Sequence, residues 1–519
     1  MIKAGFVILL TLFVNYAEPA EILGVFPSPR PENFKLGSRL MKELARKGHK
    51  ITVVSHFPQN NTIKNYVDFP LEYFQYLIKD FQEPLNEQEK SFIFNLIHQY
   101  DTGLFFSEIM LNDNNFQVLL QSNKHFDLII LEYSINDALI GLGQKFNAPV
   151  VLLSPRPSSA AENHIFANPA PAAFIPNVFS GYTGFMNFWQ RVRNLFLNSY
   201  VNLYRRTFDQ PFQRAVLNQW ISGIELDDAM KNVSLILLNS LPGITEPVPH
   251  MPNMIEIGGL HVEEDADVPR DIVKFLDEAN EGVILHTGYA NRDEAEIYVK
   301  TFARLTMKVL WKTDFTYNDL EDITCSGCSV PDNVKLVSSL PQENVLAHKN
   351  VKAFITNGNL FDLIDAAYFG VPVVGIPKDL VEETNMALAV ENKYAVELSN
   401  NDLTEENIIR AIDEVVLNPR YKANAELKSA IIKDQETKPL DRATYWVEYV
   451  IRHKGAYHLQ SPGIFLKWYQ RSMIDIILIL GVLDIILFLI FYYIFKHIIH
   501  HVMKLYKRKK SEKYVKLIE

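Results

Sequence analysis

FITNGNLFDLIDAAYFGVPVVGIPKDLVEETN, residues 354–385, is the stretch whose reading decides the fold. The run VKAFIT, residues 351–356, is short and apolar enough for a buried parallel strand, and Asn357 and Gly358 end it in a tight turn. From Leu360 to Phe369 the apolar residues recur at helical spacing, Gly370 supplies a C-cap, and VPVVGIP, residues 371–377, begins the next strand. A strand, a turn and a helix in that order aim backbone N–H groups and the positive helix end at an anion, in this setting a diphosphate. The pattern alone leaves a second reading open, an ordinary βαβ unit that binds nothing.

Outward from this unit, apolar runs at residues 282–287, 308–311, 334–337, 351–356 and 371–377 predict one parallel sheet. Runs at 22–26, 51–55, 128–132 and 150–153, alternating with helical stretches such as 40–47, predict an earlier α/β domain. Between them lie an aromatic and proline-rich stretch, residues 155–220, and the proline-rich linker PGITEPVPHMPN. A chain of 519 residues with 48% hydrophobic and 22% charged residues can bury the cores this requires. The net charge of −10, with basic residues gathered only at the C-terminus, excludes nucleic acid as a partner.

Residues 1–17 carry Lys3, an apolar stretch and a small residue before Glu18, the layout of a secretory signal. Residues 474–495 are almost unbroken Ile, Leu, Val, Phe and Tyr, matching the ~20 residues that cross a bilayer as a helix. The tail, residues 496–519, is basic, which predicts a cytosolic end and a lumenal body on a single-pass anchor. The sequons at Asn60 and Asn232 are glycosylation candidates in such a body. Cys325 and Cys328, in an oxidising lumen, are most simply a local disulfide; zinc would need two further ligands, and a redox pair would sit at a helix N-terminus. Asp484, inside the apolar span, costs roughly 2.5–3.5 kcal/mol if ionised, so it is protonated, or a second helix pairs with it, as in a homo- or hetero-oligomer, or its long apolar flanks carry it.

The 354–385 segment resembles the signature of the UDP-glycosyltransferases, in the animal, insect-like branch. EILGVFPSP (21–29), LMKELARKGHKITVVSHFP (40–58), FWQRVRN (188–194), MPNMIEIGGLHV (251–262) and LPQENVLAHKNVKAFIT (340–356) carry the same resemblance through almost the whole chain. It implies an α/β fold of two doubly wound Rossmann-like domains, GT-B type, facing a cleft, followed by one transmembrane helix. The implied layout is a signal at 1–17, an acceptor-binding domain at 18–242, a linker at 243–280 and a UDP-sugar-binding domain at 281–438. A segment at 439–473 returns to the first domain before the span. The implied reaction is hexosyl transfer from a UDP-sugar to a small lipophilic acceptor in the lumen of the endoplasmic reticulum, with no metal and no cofactor.

Inverting transfer to a hydroxyl needs a base for the acceptor proton and donors that stabilise departing UDP. The resemblance places Asn33 where the family has its base, a histidine, and Glu132 where a carboxylate polarises that ring. An amide cannot accept the proton. On the donor side Ser339 stands at a uracil-stacking tryptophan, Asn357 at a diphosphate-binding histidine, and Val381 and Glu382 at an acid and amide pair for the sugar, whereas Gln342, Gly358 and Asn385 match. Asp365 stands for the ribose-gripping acid, and His286 reads as a strand residue. Asp362 stands at a phosphate-binding serine, and a carboxylate about 4 Å from a phosphate charge costs on the order of 4 kcal/mol at an effective dielectric of 20. Its other reading is a cap on the helix N-terminus. These residues leave an alternative to the transferase: an impaired or inactive member that binds lipophiles or pairs with active relatives.

Overall fold

The computed structural model describes residues 19–59, 61–71, 91–264, 266–324 and 330–515. The expected signal, Asn60 and the Cys325–Cys328 disulfide lie outside the described residues.

The first sheet is built from β1 (Glu21–Val25), β2 (Lys50–Ser55), β3 (Tyr66–Pro70), β4 (Leu128–Glu132), β5 (Val150–Ser154), β6 (Val233–Leu238) and β7 (Met254–Glu256), in the order β3-β2-β1-β4-β5-β6-β7. Every pairing is parallel, with Ile22 beside Ile51 and Leu128. Parallel strands are covered on both faces, which is why LIILE and VSLILL carry almost no alternation and are buried throughout. β7 extends this sheet from inside residues 243–280, so the proline-rich segment runs past the last strands before the chain leaves the domain.

The second sheet contains β8 (Val283–His286), β9 (Lys308–Lys312), β10 (Val334–Val337), β11 (Val351–Thr356), β12 (Val373–Gly375) and β13 (Ala395–Glu397), in the order β10-β9-β8-β11-β12-β13. Both sheets reverse direction of growth once, between β1 and β4 and between β8 and β11. Ligands of doubly wound sheets bind at the carboxyl ends of strands beside such a reversal.

Seven helices matter below. α1 (Pro31–Arg46) starts on a proline, whose fixed φ suits the first turn. α2 (Phe188–Tyr204) leads through a wide helical turn, Arg205–Asp209, into α3 (Gln210–Trp220). α4 (Leu360–Phe369) ends on Gly370 at φ +66°, the left-handed conformation that the glycine predicted. α5 (Leu380–Glu391) follows β12. α6 (Pro439–Arg452) returns to the first sheet and buries Ala443, Val447 and Val450 in one apolar cluster with Leu40 and Leu44 of α1. α7 (Ile474–Val515) contains, at Ile474–Lys510, one stretch of 37 residues long and apolar enough to cross a membrane. Its helix continues through the basic tail because lysine and arginine are themselves good helix formers.

Candidate active site

Asn33 lies in the first turn of α1, just past β1, and Glu132 ends β4, so the first reversal of strand order brings together two residues 99 apart in sequence. Asn33 donates from Nδ2 to Glu132 Oε1 at 2.9 Å and to Ser28 Oγ at 3.1 Å. Burial pushes the Glu132 carboxyl up to about 7, against the pull of its bonds with Asn33 and Ser28. Both bonds use the amide nitrogen, which leaves Asn33 Oδ1, an acceptor without basicity, as the group's other polar end.

The second reversal holds the other half. Asn357, just past β11, accepts the Tyr289 N–H on Oδ1 at 2.6 Å and donates from Nδ2 to the Ile376 carbonyl at 2.9 Å. It therefore ties together the loops that leave β8, β11 and β12. Gly358 has φ +89°, and a Cβ there would come 2.5 Å from Met386 Cγ, so both conformation and space require glycine. The helix cap is Asn359, whose Oδ1 accepts the Asp362 N–H at 3.0 Å.

Asp362 does not cap α4; its carboxylate is turned onto side chains. Oδ1 accepts from Gln342 Nε2 at 2.8 Å, while Oδ2 accepts from Asn359 Nδ2 at 2.7 Å and from the Thr356 hydroxyl. Gln342 Nε2 also donates to Asp365 Oδ2 at 2.9 Å, and His261 Nε2 donates to Asp365 Oδ1 at 3.0 Å. Burial lifts the Asp362 carboxyl to about 6, with Asp365 adding repulsion and the Thr356 and Gln342 bonds opposing both. As the N-cap of α5, Asp379 accepts the N–H groups of Val381 and Glu382, each at 2.8 Å. Glu382 accepts the Lys378 N–H, and burial, with Asp379 next to it, holds its carboxyl well above the usual range. Asn385 donates to the Gly358 carbonyl at 3.2 Å.

Gln342, Asn357, Gly358, Asp362, Asp365, Glu382 and Asn385 thus share one continuous neighbourhood. Ser339 is exposed on the loop after β10 and takes no part in it. His286 is buried in β8 against Tyr298 and Trp311, and burial lowers its ring to about 3, so it stays neutral. Asn232 half-buries its amide between Tyr457 and the Ala148 carbonyl. Four residues absent from the sequence reading complete the site. Thr356 and His261 hold Asp362 and Asp365. Lys35, two residues from Asn33, pairs with Glu343, one residue from Gln342, and so fastens the two halves to each other. The only signal for that pair was the short spacing of each partner from a site residue.

Two doubly wound domains that present their strand-reversal points in this way form the GT-B glycosyltransferase fold. Solved structures share it: the glycotransferase of kitacinnamycin superposes with a TM-score of 0.55 at 16% identity, over 83% of this chain and 99% of that one. VinC, a glycosyltransferase solved in complex with dTDP, superposes with a TM-score of 0.52 at 17% identity, over 83% and 98%. UDP-glucosyltransferase 2 of Dactylopius coccus is 32% identical over 484 residues, spanning 90% of this chain and 91% of its own length. UDP-glucuronosyltransferase 2B15 of Rattus norvegicus is 30% identical over 471 residues, spanning 84% and 86%. The family profile described as UDP-glucoronosyl and UDP-glucosyl transferase matches residues 37–512. The chain belongs to this family of UDP-glycosyltransferases.

The buried charge at Asp362 has a measurable consequence for a nucleotide held at the α4 N-terminus. Its carboxyl is neutral below about pH 6 and charged above, so UDP binding should tighten through this group as pH falls. Asp362→Asn is expected to bind UDP about tenfold more tightly near pH 8 and to lose that part of the pH dependence. Because UDP itself titrates in this range, the quantity to read by calorimetry is the difference between wild type and variant. Equal affinities at pH 8 would place the diphosphate away from this helix.

Proposed function

We propose that the protein transfers a hexose from a UDP-sugar to a nitrogen nucleophile on a small lipophilic acceptor. Its body lies in the endoplasmic reticulum lumen and is held by the α7 span, with the basic tail in the cytosol. The observation that carries this reading is the Asn33–Glu132 pair: the residue that the family resemblance assigns to the acceptor proton is an amide, held by a buried carboxylate it covers. A hydroxyl must lose its proton as it attacks; the Asn33 amide cannot take it, and Glu132, though basic enough near neutral pH, is buried behind that amide. A neutral amine is already nucleophilic and can release its proton after attack. Asn33 Oδ1 can accept one amine N–H and so orient the nitrogen.

On the donor side, the α4 N-terminus gives the positive potential for a nucleoside diphosphate without a metal, and Gln342, Asp365 and His261 form a fixed polar wall beside it, with Asp362 the group that opposes the anion when charged. Incubating the full chain with UDP-glucose or UDP-glucuronate and paired aryl amine and phenol acceptors should give amine glycosides at least ~100-fold faster than phenol glycosides, the size of a missing general base. Equal rates would sink the amine reading. No product together with no UDP binding at millimolar concentration would favour the inactive, lipophile-binding or partner role.

A further inference from the structure

The first domain carries a face that the described residues leave uncovered. On α2, Trp189 is 75% exposed and Phe196 68%, and Phe188, Leu195 and Leu203 are each more than half exposed. At 100° per residue these five side chains fall within an arc of about 120° on one side of the helix. Val201 and Asn194 lie opposite and are buried. Asn194 fixes that inner side: its Nδ2 donates to the carbonyls of Ala172 and Ile175 at 2.8 and 2.7 Å, and its Oδ1 accepts the Asn177 N–H at 2.8 Å. The helix therefore cannot roll to hide its apolar side without breaking the three hydrogen bonds of the buried Asn194. Arg191 and Arg193 border the apolar arc, one on each edge, and both are exposed.

We infer that α2 is a membrane-docking helix that lies in the interface of the bilayer the chain is anchored to, with its aromatic side among the lipid chains and its arginines at anionic headgroups. An apolar arc of this width, rich in Trp and Phe and edged by arginine, is the pattern of an interfacial helix. Aromatic rings with a polar edge favour the level of the headgroups. The occupant is a lipid surface rather than a protein groove because of charge and tether. The chain is acidic overall, at −10, yet this face is edged by cations, which suits anionic lipid. The chain also carries its own span-length apolar helix, which would keep a bilayer at high effective concentration near the body. The inference rests on the reading of α7 as an anchor, and its test separates the two.

The test uses the full chain and the variant Trp189→Phe, reconstituted in liposomes of phosphatidylcholine with and without phosphatidylserine. Co-flotation with the liposomes reports the anchor. The difference in tryptophan emission between the two proteins reports Trp189 alone, and a residue so exposed tolerates the change without harm to the fold. The expected result is flotation of both proteins, with the difference emission blue-shifted and quenched about twofold or more by doxyl-labelled lipid, most strongly with phosphatidylserine present. Arg191→Glu combined with Arg193→Glu should weaken that quenching while flotation persists. Difference emission at the wavelength of water, quenched by iodide and not by doxyl lipid, overturns the docking and leaves the anchor standing. Protection from both quenchers, with self-association of the protein, assigns the face to a second copy and overturns it too. Failure to float removes the anchor and the docking together.

Discussion

Asn33→His is expected to raise phenol transfer by about 10²-fold or more, within the 10²–10⁴ range of a positioned general base, while amine transfer changes little. The position is prepared for it. Glu132 Oε1 already accepts from residue 33, and the same oxygen can accept an imidazole N–H, fixing the tautomer whose other nitrogen faces the acceptor. As pH falls below neutrality the imidazole takes up a proton and can no longer accept the one from the phenol, so the gain should fade. Initial rates with a phenol and an amine, each across pH 6 to 9, check this. If phenol transfer stays flat in a variant that binds UDP as the wild type does, the missing base is not what separates the two acceptor classes.

Arg205→Met should cost about 3–5 kcal/mol of stability, the usual penalty for stranding a buried charge. Arg205 is 2% exposed in the wide turn between α2 and α3, and donates to Asp137 Oδ2 at 2.8 Å and to Asp209. Tyr133, the residue after Glu132, donates to the other Asp137 oxygen at 2.7 Å, so the cluster also fixes the end of β4 on which the site stands. Burial, with Asp137 close by, pushes the Asp209 carboxyl up to about 7 even with the guanidinium present. A carboxyl raised in the fold favours folding at low pH and loses that contribution as pH rises through its folded value. Removing the cation raises it further, so the deficit should be smaller at pH 5.5 than at pH 8. Urea unfolding at the two pH values reads the difference, and equal deficits would mean that packing around Arg205, not its charge, is what was lost. Adding Asp137→Asn should recover part of the deficit at pH 8, because the two residues are in direct contact.

Much of the architecture was legible in the residues. The strands at 128–132 and 351–356 and the helix from Leu360 to Phe369 with its Gly370 cap are where periodicity and turn chemistry put them. These are local properties: apolar spacing and a left-handed glycine act within a few residues. The span at residue 474 was equally plain, although its helix runs on through the basic tail.

The sequence by itself therefore determined two doubly wound sheets, their order along the chain, an apolar span, and which residue types stand near each strand reversal. It could not determine what each buried polar group bonds to. Asp362 read as a charge facing an anion or as a cap; Asn359 takes the cap, and Gln342 and Thr356 reach the Asp362 carboxylate. Asp365 meets His261, 104 residues away, and Asn33 meets Glu132 across 99. Such partners are chosen when parallel strands align their carboxyl ends, and a buried donor or acceptor must then bond to whatever the strand order has brought within about 3 Å.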